Sequence, residues 1–281
     1  MRIRATVAAV TGALALSALV VPAAQAADSP SDRLPLSSAG TTATAAAELD
    51  VTFSNMKVNK GKRITVGTTA KVAVPVTYTL THAADLDISA DNFANGPLIY
   101  RGSSVESATN VLISDDPGTC TAVSSTVLNC SGVINIRPAD GDLWNSDAGT
   151  WKAGGLAVTA DEDAKWQGDL GTTKVLRAAR LTVNAAPEPV RKGRTITVTG
   201  KLSRANWDTN AYAGYGGQKV VLQFRKKGTT NYTNVKGITS TSTGALKTTV
   251  TASSDGYYRF TFAGTATTAP TTVAGDFVDV Q

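Results

Sequence analysis

Hydrophobic and polar residues alternate with a period of two over much of the chain after residue 48. The segment 72–80, VAVPVTYTL, has a hydrophobic residue at every second position, and the segments 195–202 and 219–224 alternate in the same way. Such a pattern is typical of β-strands, because successive side chains of a strand point to opposite faces of the sheet. Between residues 48 and 180 no window has a convincing hydrophobic stripe with the period of a helix. The sequence therefore predicts an all-β protein.

The spacing of the predicted strands indicates two tandem immunoglobulin-like (Ig-like) β-sandwich domains, residues 48–184 and 185–281. About seven short strands fit into the second of these, which is the number found in an Ig-like sandwich. A Lys-Gly turn followed by a strand occurs near the start of each domain, in VNKGKRITV at 58–66 and in VRKGRTITV at 190–198. The segment 185–189, AAPEP, is predicted to be a short, stiff connector between the two domains.

The N-terminus has the features of a secretory leader. Residues 1–26 combine a basic start, an uncharged stretch from 5 to 21 and the sequence Ala-Gln-Ala, which together are typical of a cleaved signal peptide. The alternative is a membrane anchor, since this stretch lies at the lower limit of length for crossing a bilayer. Residues 27–47 are predicted to be a disordered tail, either an inert spacer or a segment that adds to a partner as a strand. We expect a secreted, extracellular protein without a membrane anchor.

Cys120 and Cys130 are the two cysteines of the chain, and the predicted compartment is oxidising. The segment between them is predicted to be a hairpin with its loop centred on Ser125, which would place the two cysteines opposite each other on antiparallel strands. A structural disulfide is therefore expected. The alternative, a reactive thiol, would need an electropositive surrounding that this polar hairpin lacks.

Three segments, LTVNAAPEPVRKGRTITVTGKLSRANW, QKVVLQFRKKG and DGYYRFTFAGT, carry a resemblance to known proteins. With them, the chain after the leader resembles a family of secreted streptomycete (actinobacterial) proteins with two β-sandwich domains, which have no assigned function and are sometimes labelled calcium-binding proteins. The C-terminal part also resembles bacterial Ig-like modules. The resemblance implies secretion and the fold, but it brings no catalytic motif.

Charge is distributed unevenly along the chain, whose formal net charge is +5. Residues 48–180 contain 12 basic and 15 acidic residues, whereas residues 181–281 contain 12 basic and 5 acidic residues. A basic extracellular module is suited to an acidic protein or an anionic cell-wall polymer, whereas nucleic acid is not expected because no recognition motif is present. The alternative is that the basic residues protect sheet edges from pairing with other chains.

Asp140, Asp142 and Asp147 lie in one Gly-containing segment and are the first candidates for a calcium site. Calcium is held by six to eight oxygen ligands, which loops of a sandwich can supply. The spacing is not that of an EF-hand. The alternative is that these are ordinary solvated aspartates of turns.

Aromatic and basic residues of the second domain are the candidates for contact with a partner. Trp207, Tyr212 and Tyr215 belong to the predicted loop 206–217, and exposed Trp and Tyr are common anchors of recognition. Trp144 and Trp151 are in a predicted loop of the first domain. The alternative for these rings is that they close the end of a sandwich. The basic candidates are Arg225, Lys226 and Lys227.

The chemistry-bearing residues predict a protein that binds and does not catalyse. His82 is the one histidine, and no G-x-S-x-G motif is present, so neither a catalytic triad nor a zinc site is expected. The preferred hypothesis is a secreted, non-catalytic binding or adaptor protein whose partner is an extracellular protein or a cell-wall polymer. The alternatives are a calcium-binding extracellular protein and an inhibitor of a secreted hydrolase that presents the hairpin 120–130.

Overall fold

The computed structural model describes residues 49–281. The predicted signal peptide (1–26) and tail (27–47) therefore lie outside the described residues. In the described part, no helix is long and apolar enough to cross a membrane. The elements there are three short 3-10 turns (59–61, 138–140 and 145–147) and the following strands: β1 (Val51–Val58), β2 (Ile64–Val66), β3 (Val72–His82), β4 (Phe93–Arg101), β5 (Asn110–Ile113), β6 (Thr119–Ala122), β7 (Val127–Ile136), β8 (Gly149–Thr159), β9 (Ala164–Gln167), β10 (Thr172–Arg177), β11 (Ala179–Leu181), β12 (Asn184–Ala186), β13 (Thr195–Asn206), β14 (Ala211–Gly214), β15 (Lys219–Lys226), β16 (Thr233–Thr239), β17 (Ala245–Thr251), β18 (Gly256–Phe262), β19 (Thr271–Thr272) and β20 (Asp276–Val278).

The chain forms two compact units, and each is discontinuous in sequence. Among the described residues, the first unit comprises 49–61, 74–135 and 151–172, and the second comprises 62–73, 136–150 and 173–281. The predicted boundary between residues 184 and 185 falls inside β12, which pairs with β13. The segment 185–189 therefore begins as a strand and not as a connector. The division into domains 48–184 and 185–281 remains a prediction.

The first unit contains two groups of paired strands. One sheet has the order β1-β3-β7-β6, and in the other group β9 and β4 flank β8 while β5 pairs with β4. Strand β4 is buried on both faces. On one face of β4 and its neighbour β8, the aromatic ring of Phe53 lies so close to Gly155 of β8 that a Cβ atom on residue 155 would overlap the ring. The other face is covered by Val105 and Ala108 from the loop that follows β4. Glycine at position 155 thus allows the two groups of strands to approach closely.

The predicted disulfide is confirmed. Cys120 and Cys130 are direct partners in the antiparallel pair β6–β7, and their sulfur atoms are bonded. The hairpin continues the sheet through β7, whose residues Ile134 and Ile136 are fully buried. The bond therefore closes a hairpin whose second strand is anchored in the core.

The second unit contains an Ig-like sandwich, which confirms the predicted fold class. Strands β12, β13 and β17 form the centre of one sheet, and β16, β15, β18 and β20 form the other. If these seven strands are numbered in chain order, the first sheet contains strands one, two and five, and the second contains strands three, four, six and seven. This division is typical of Ig-like sandwiches. The parallel pair β2–β10 also belongs to this unit. Its core consists mainly of side chains from the two facing sheets: Ile196, Val198, Leu202, Val220, Leu222, Leu246, Tyr258, Phe260, Phe262 and Val278.

Removing the disulfide tests how much the hairpin contributes to stability. For the double variant C120S/C130S we expect the free energy of unfolding to fall by about 3 kcal/mol, because closing this short loop restricts the unfolded chain. The measurement is urea denaturation with and without a reductant. The wild type should lose the same stability on reduction, and the variant should not respond to the reductant. An unchanged midpoint in the variant would contradict this expectation.

Candidate binding face

Two of the three aspartates predicted to bind calcium accept hydrogen bonds from the backbone. Asp142 is buried, and its carboxylate accepts a hydrogen bond from the backbone N–H of Arg137 at 2.7 Å. Asp147 is also buried and accepts one from the backbone N–H of Trp144 at 2.8 Å. Within residues 49–281, no group of three or more histidine, cysteine, aspartate or glutamate side chains is placed to hold a metal ion. Calcium binding at Asp140, Asp142 and Asp147 stays a prediction, and two of these carboxylates already stabilise the backbone of their own turns.

Trp207 is buried, with an exposed fraction of 2 %, and a partner contact of its ring stays a prediction. The indole N–H donates a hydrogen bond to the carbonyl oxygen of Gly67 at 2.9 Å. The backbone N–H of Trp207 donates to the side-chain oxygen of Asn145 at 3.0 Å, and the Asn145 amide donates to Asn206 at 2.7 Å. The ring has the structural role that the sequence left as the alternative. Trp151 is likewise fully buried, on β8, whereas Trp144 is exposed.

A buried arginine supports the same region of the second unit. The Nε–H of Arg177 donates to the carbonyl oxygen of Ala205 at 2.5 Å. Burial, with a further contribution from the positive charge of Arg204, lowers the pKa of Arg177 to about 10. Nothing in the sequence pattern marks this residue, because its hydrogen-bond partner is a backbone oxygen 28 residues along the chain. Arg177 and Trp207 thus fix the end of β13 by reaching backbone carbonyls.

Tyr212 and Tyr215 are both half-buried, and each lies against an arginine. The guanidinium carbon of Arg180 is 3.6 Å from the ring centre of Tyr212, and that of Arg204 is 4.0 Å from the ring centre of Tyr215. Tyr215 also packs edge-on against Phe262 of the core. A partner contact of these tyrosines stays a prediction, and for Tyr215 the contact with the core already accounts for one side of the ring.

The outer side of the sheet β16-β15-β18-β20 carries a second group of arginines and aromatic rings. Because β15 and β18 pair in register, Leu222 is opposite Phe260 on the core side, while Arg225 is opposite Tyr257 on the outer side. Tyr257 is in turn opposite Phe277 of β20. We call this surface the Arg–Tyr face and define it by the following residues: Gln223, Arg225, Tyr232, Asn234, Tyr257, Arg259 and Phe277. All are half-buried except Asn234, which is exposed.

The arginines of the Arg–Tyr face are stacked on its tyrosines. The guanidinium carbon of Arg259 lies 3.6 Å from the ring centre of Tyr232. Arg225 lies 4.2 Å from the ring centre of Tyr257 and 5.3 Å from that of Tyr232. The rings of Tyr257 and Phe277 are 5.2 Å apart. Each such cation–π contact stabilises by about 0.5–1 kcal/mol where it is exposed and by more where water is excluded.

Hydrogen bonds fix the orientation of both guanidinium groups. Arg259 donates its Nε–H to the side-chain oxygen of Gln223 at 2.9 Å, and the Gln223 amide donates to Asn234 at 2.9 Å. Arg225 donates through Nη1 to the carbonyl oxygen of Thr229 at 2.5 Å. Among the contacts within residues 49–281, neither arginine has a carboxylate partner. The face thus holds two oriented cations without a neutralising anion.

The predicted basic residues lie at one end of this face. Lys227 forms an ion pair with Asp255 at 3.4 Å, and its ammonium group is 5.3 Å from the ring centre of Phe277. The pKa of the Asp255 carboxyl group is lowered, mainly because the backbone N–H of Val280 donates a hydrogen bond to its ionised form. Lys227 adds a smaller contribution in the same direction. Lys226 is exposed. Arg225 and Lys227 are therefore brought together with aromatic rings, whereas Lys226 alternates to the other side of β15.

The comparisons with known proteins give only distant structural similarities. Neither a family profile nor a curated protein matches the sequence. A solved Escherichia coli alpha-2-macroglobulin is 10 % identical over 84 % of this chain, with a TM-score of 0.27. The Yersinia pseudotuberculosis adhesin InvE is 13 % identical over 79 % of the chain, with a TM-score of 0.24, and the Escherichia coli adhesin FdeC is 13 % identical over 85 %, with a TM-score of 0.34. The chain spans 14 %, 58 % and 66 % of these three structures, respectively.

The contact of Trp207 with Gly67 can be tested by replacing the indole with a smaller aromatic ring that has no N–H. For Trp207→Phe we expect a loss of about 1–3 kcal/mol in the free energy of unfolding, because the part-buried carbonyl oxygen of Gly67 loses its donor and the smaller ring fills the site less well. The control is Trp144→Phe, at a position that is 49 % exposed, where we expect a change within about 0.5 kcal/mol. Urea denaturation followed by circular dichroism measures both. Equal stability of the two variants would show that the hydrogen bond does not anchor this turn.

Proposed function

We propose that this chain is a secreted, non-catalytic binding protein that contacts an extracellular partner through the Arg–Tyr face of its second unit. The observation that carries the proposal is that Arg225 and Arg259 are oriented by rings and hydrogen bonds but have no carboxylate partner among the described residues. Arginine and tyrosine are enriched at protein interfaces and among the residues that dominate binding energy.

The chemistry of the face supports binding more than catalysis. Its side chains are arginine, tyrosine, phenylalanine and amides, a set without an activated nucleophile and its base. A guanidinium group offers planar, fixed donors, and the stacked rings hold it in place before a partner arrives. Less conformational freedom is then lost on binding, which favours affinity.

The position of the face on the sandwich also supports this role. Strands β15 and β18 are anchored by fully buried Leu222 and Phe260, so the outward residues between them stand on a rigid sheet. Side chains on regular strands are held more precisely than side chains on loops. A flat face of this kind is suited to a macromolecular surface.

The experiment compares three baits prepared from the full chain: wild type, the face variant Y232A/R259A and the control variant R180A/Y212A. The control removes the other arginine that lies 3.6 Å from a tyrosine ring centre, so the two variants lose the same types of residue. The baits are exposed to culture medium and to a cell-wall extract of the producing organism, and the retained material is identified by mass spectrometry. Thermal melting verifies that each bait is folded.

We expect wild type and R180A/Y212A to retain the same partner, and Y232A/R259A to retain about one tenth as much or less, since interface arginines and tyrosines dominate binding energy. Loss with R180A/Y212A and retention with Y232A/R259A would place binding at the loop 206–217 instead. Retention of nothing above the bare resin would contradict the proposed function.

A further inference from the structure

The donors that remain unused on the Arg–Tyr face indicate the chemistry of the partner. A guanidinium group has five N–H donors. Arg259 uses Nε, and Arg225 uses Nη1, in hydrogen bonds within the described chain. The remaining terminal N–H groups of both arginines are therefore available to a ligand. Pairs of such groups bind a carboxylate in a bidentate manner, which is stronger than a neutral hydrogen bond.

The charge around the face is also suited to an anion. Arg225, Arg259 and Lys226 supply three positive charges on or beside it, and the charge of Lys227 is balanced by Asp255. Asp255, at the edge of the face, is occupied by Lys227 and by the backbone N–H of Val280. The carboxylate of Asp276, next to Phe277, accepts a hydrogen bond from the backbone N–H of Ala185. Neither carboxylate reaches the two stacked guanidinium groups.

The stacking distinguishes an acidic protein from an acidic polysaccharide. Tyr232, Tyr257 and Phe277 each have a cation over the ring at 3.6–5.3 Å from the ring centre. A sugar-binding platform needs a ring face that is free to stack against the sugar, whereas here the cations occupy that position. What the face offers is guanidinium donors among half-buried rings, the composition of a protein interface.

The neighbouring edge strand is protected against the addition of a partner strand. Lys236 of β16 pairs in register with the buried Leu222 of β15, so this charge lies on the inner side of the edge. The register also shifts between Leu222 and Gln223. An inward charge and a bulge are the devices by which natural sheets prevent pairing at an edge. The partner therefore meets the face of the sheet and not its edge.

We infer that the Arg–Tyr face binds a protein whose surface presents closely spaced aspartate or glutamate side chains. The inference rests on the proposed function and adds the chemical class of the partner. Arg225 and Arg259 each bind a carboxylate of the partner, and Lys226 strengthens the attraction at one end. The half-buried rings exclude water around these contacts, which strengthens hydrogen bonds between charged groups.

The probe is a fluorescent peptide of alternating Glu and Ser, which presents its carboxylates on one side when extended. Its affinity for the full chain is measured by fluorescence anisotropy. A peptide with Gln in place of Glu controls for the backbone and for length. Polyphosphate, used as a competitor, represents anionic cell-wall polymers.

Three variants of the full chain accompany the wild type. R225Q/R259Q removes both charges of the face. R191Q/R194Q removes two exposed charges elsewhere in the second unit and is the matched control. R225K/R259K keeps the charges but removes the planar donors, and it remains informative if the glutamine variant does not fold.

We expect the Glu peptide to bind wild type and R191Q/R194Q equally, and to bind R225Q/R259Q about tenfold or more weakly, with R225K/R259K also weakened because bidentate donors are lost. Equal weakening by both glutamine variants, or equal binding of the Gln peptide, would overturn the inference. Tighter arginine-dependent binding of polyphosphate would assign the face to a phosphate polymer instead. If the face-dependent partner is captured but the Glu peptide does not bind, the inference fails and the proposed function stands.

Discussion

The register between β15 and β18 is the constraint on which both the core of the second unit and its candidate binding face depend. Leu222 lies opposite Phe260, and Phe224 lies opposite Tyr258 with the two rings 4.8 Å apart, so these pairs fill the interior. Because strand side chains alternate between faces, the same register places Arg225 and Tyr257 side by side on the outside. A slip of one residue would bring the arginine into the core. The hydrophobic residues thus determine where the cations lie.

The balance of interactions on the outer face explains why it is suited to binding. Stacking on Tyr232 and Tyr257, together with single hydrogen bonds to Gln223 and Thr229, orders the arginines. None of these contacts neutralises the charge, because the acceptors are an amide and a carbonyl oxygen. By contrast, Asp255 and Lys227 at the edge satisfy each other.

Much of the fold was predictable from the sequence because the alternation of residues is local information. Strand β3 was expected over 72–80 and extends over Val72–His82, and the Cys120–Cys130 pair follows from a short hairpin. The hydrogen bonds that Trp207 and Asp142 make could not be predicted in this way. Their partners are the carbonyl oxygen of Gly67 and the backbone N–H of Arg137. Since these are backbone atoms, the pattern of side chains does not reveal them.

The Arg–Tyr face was predictable from the sequence only in part. The sequence predicted that Arg225 contacts a partner, but it did not point to Tyr257 or Arg259. The alternation in YYRFTF does place both residues on the polar side of a strand. The pairing of β18 with the segment QFRK of β15 cannot be read from the sequence, because its register depends on how Phe224 and Leu222 pack in the core. Tyr232 comes from the segment before β16 and joins the face only in three dimensions.

The central claim is that two stacked guanidinium groups, which have no carboxylate partner within residues 49–281, form the binding face, and NMR of the arginine Nε–Hε groups tests it most directly. In the full chain, side-chain protons of Arg225 and Arg259 should be shifted upfield by the rings beneath them. Addition of the Glu peptide should move the signals of these two arginines and leave the indole N–H of the buried Trp207 unchanged. Arginine signals at the positions of an unfolded chain, unaffected by the peptide, would contradict the account.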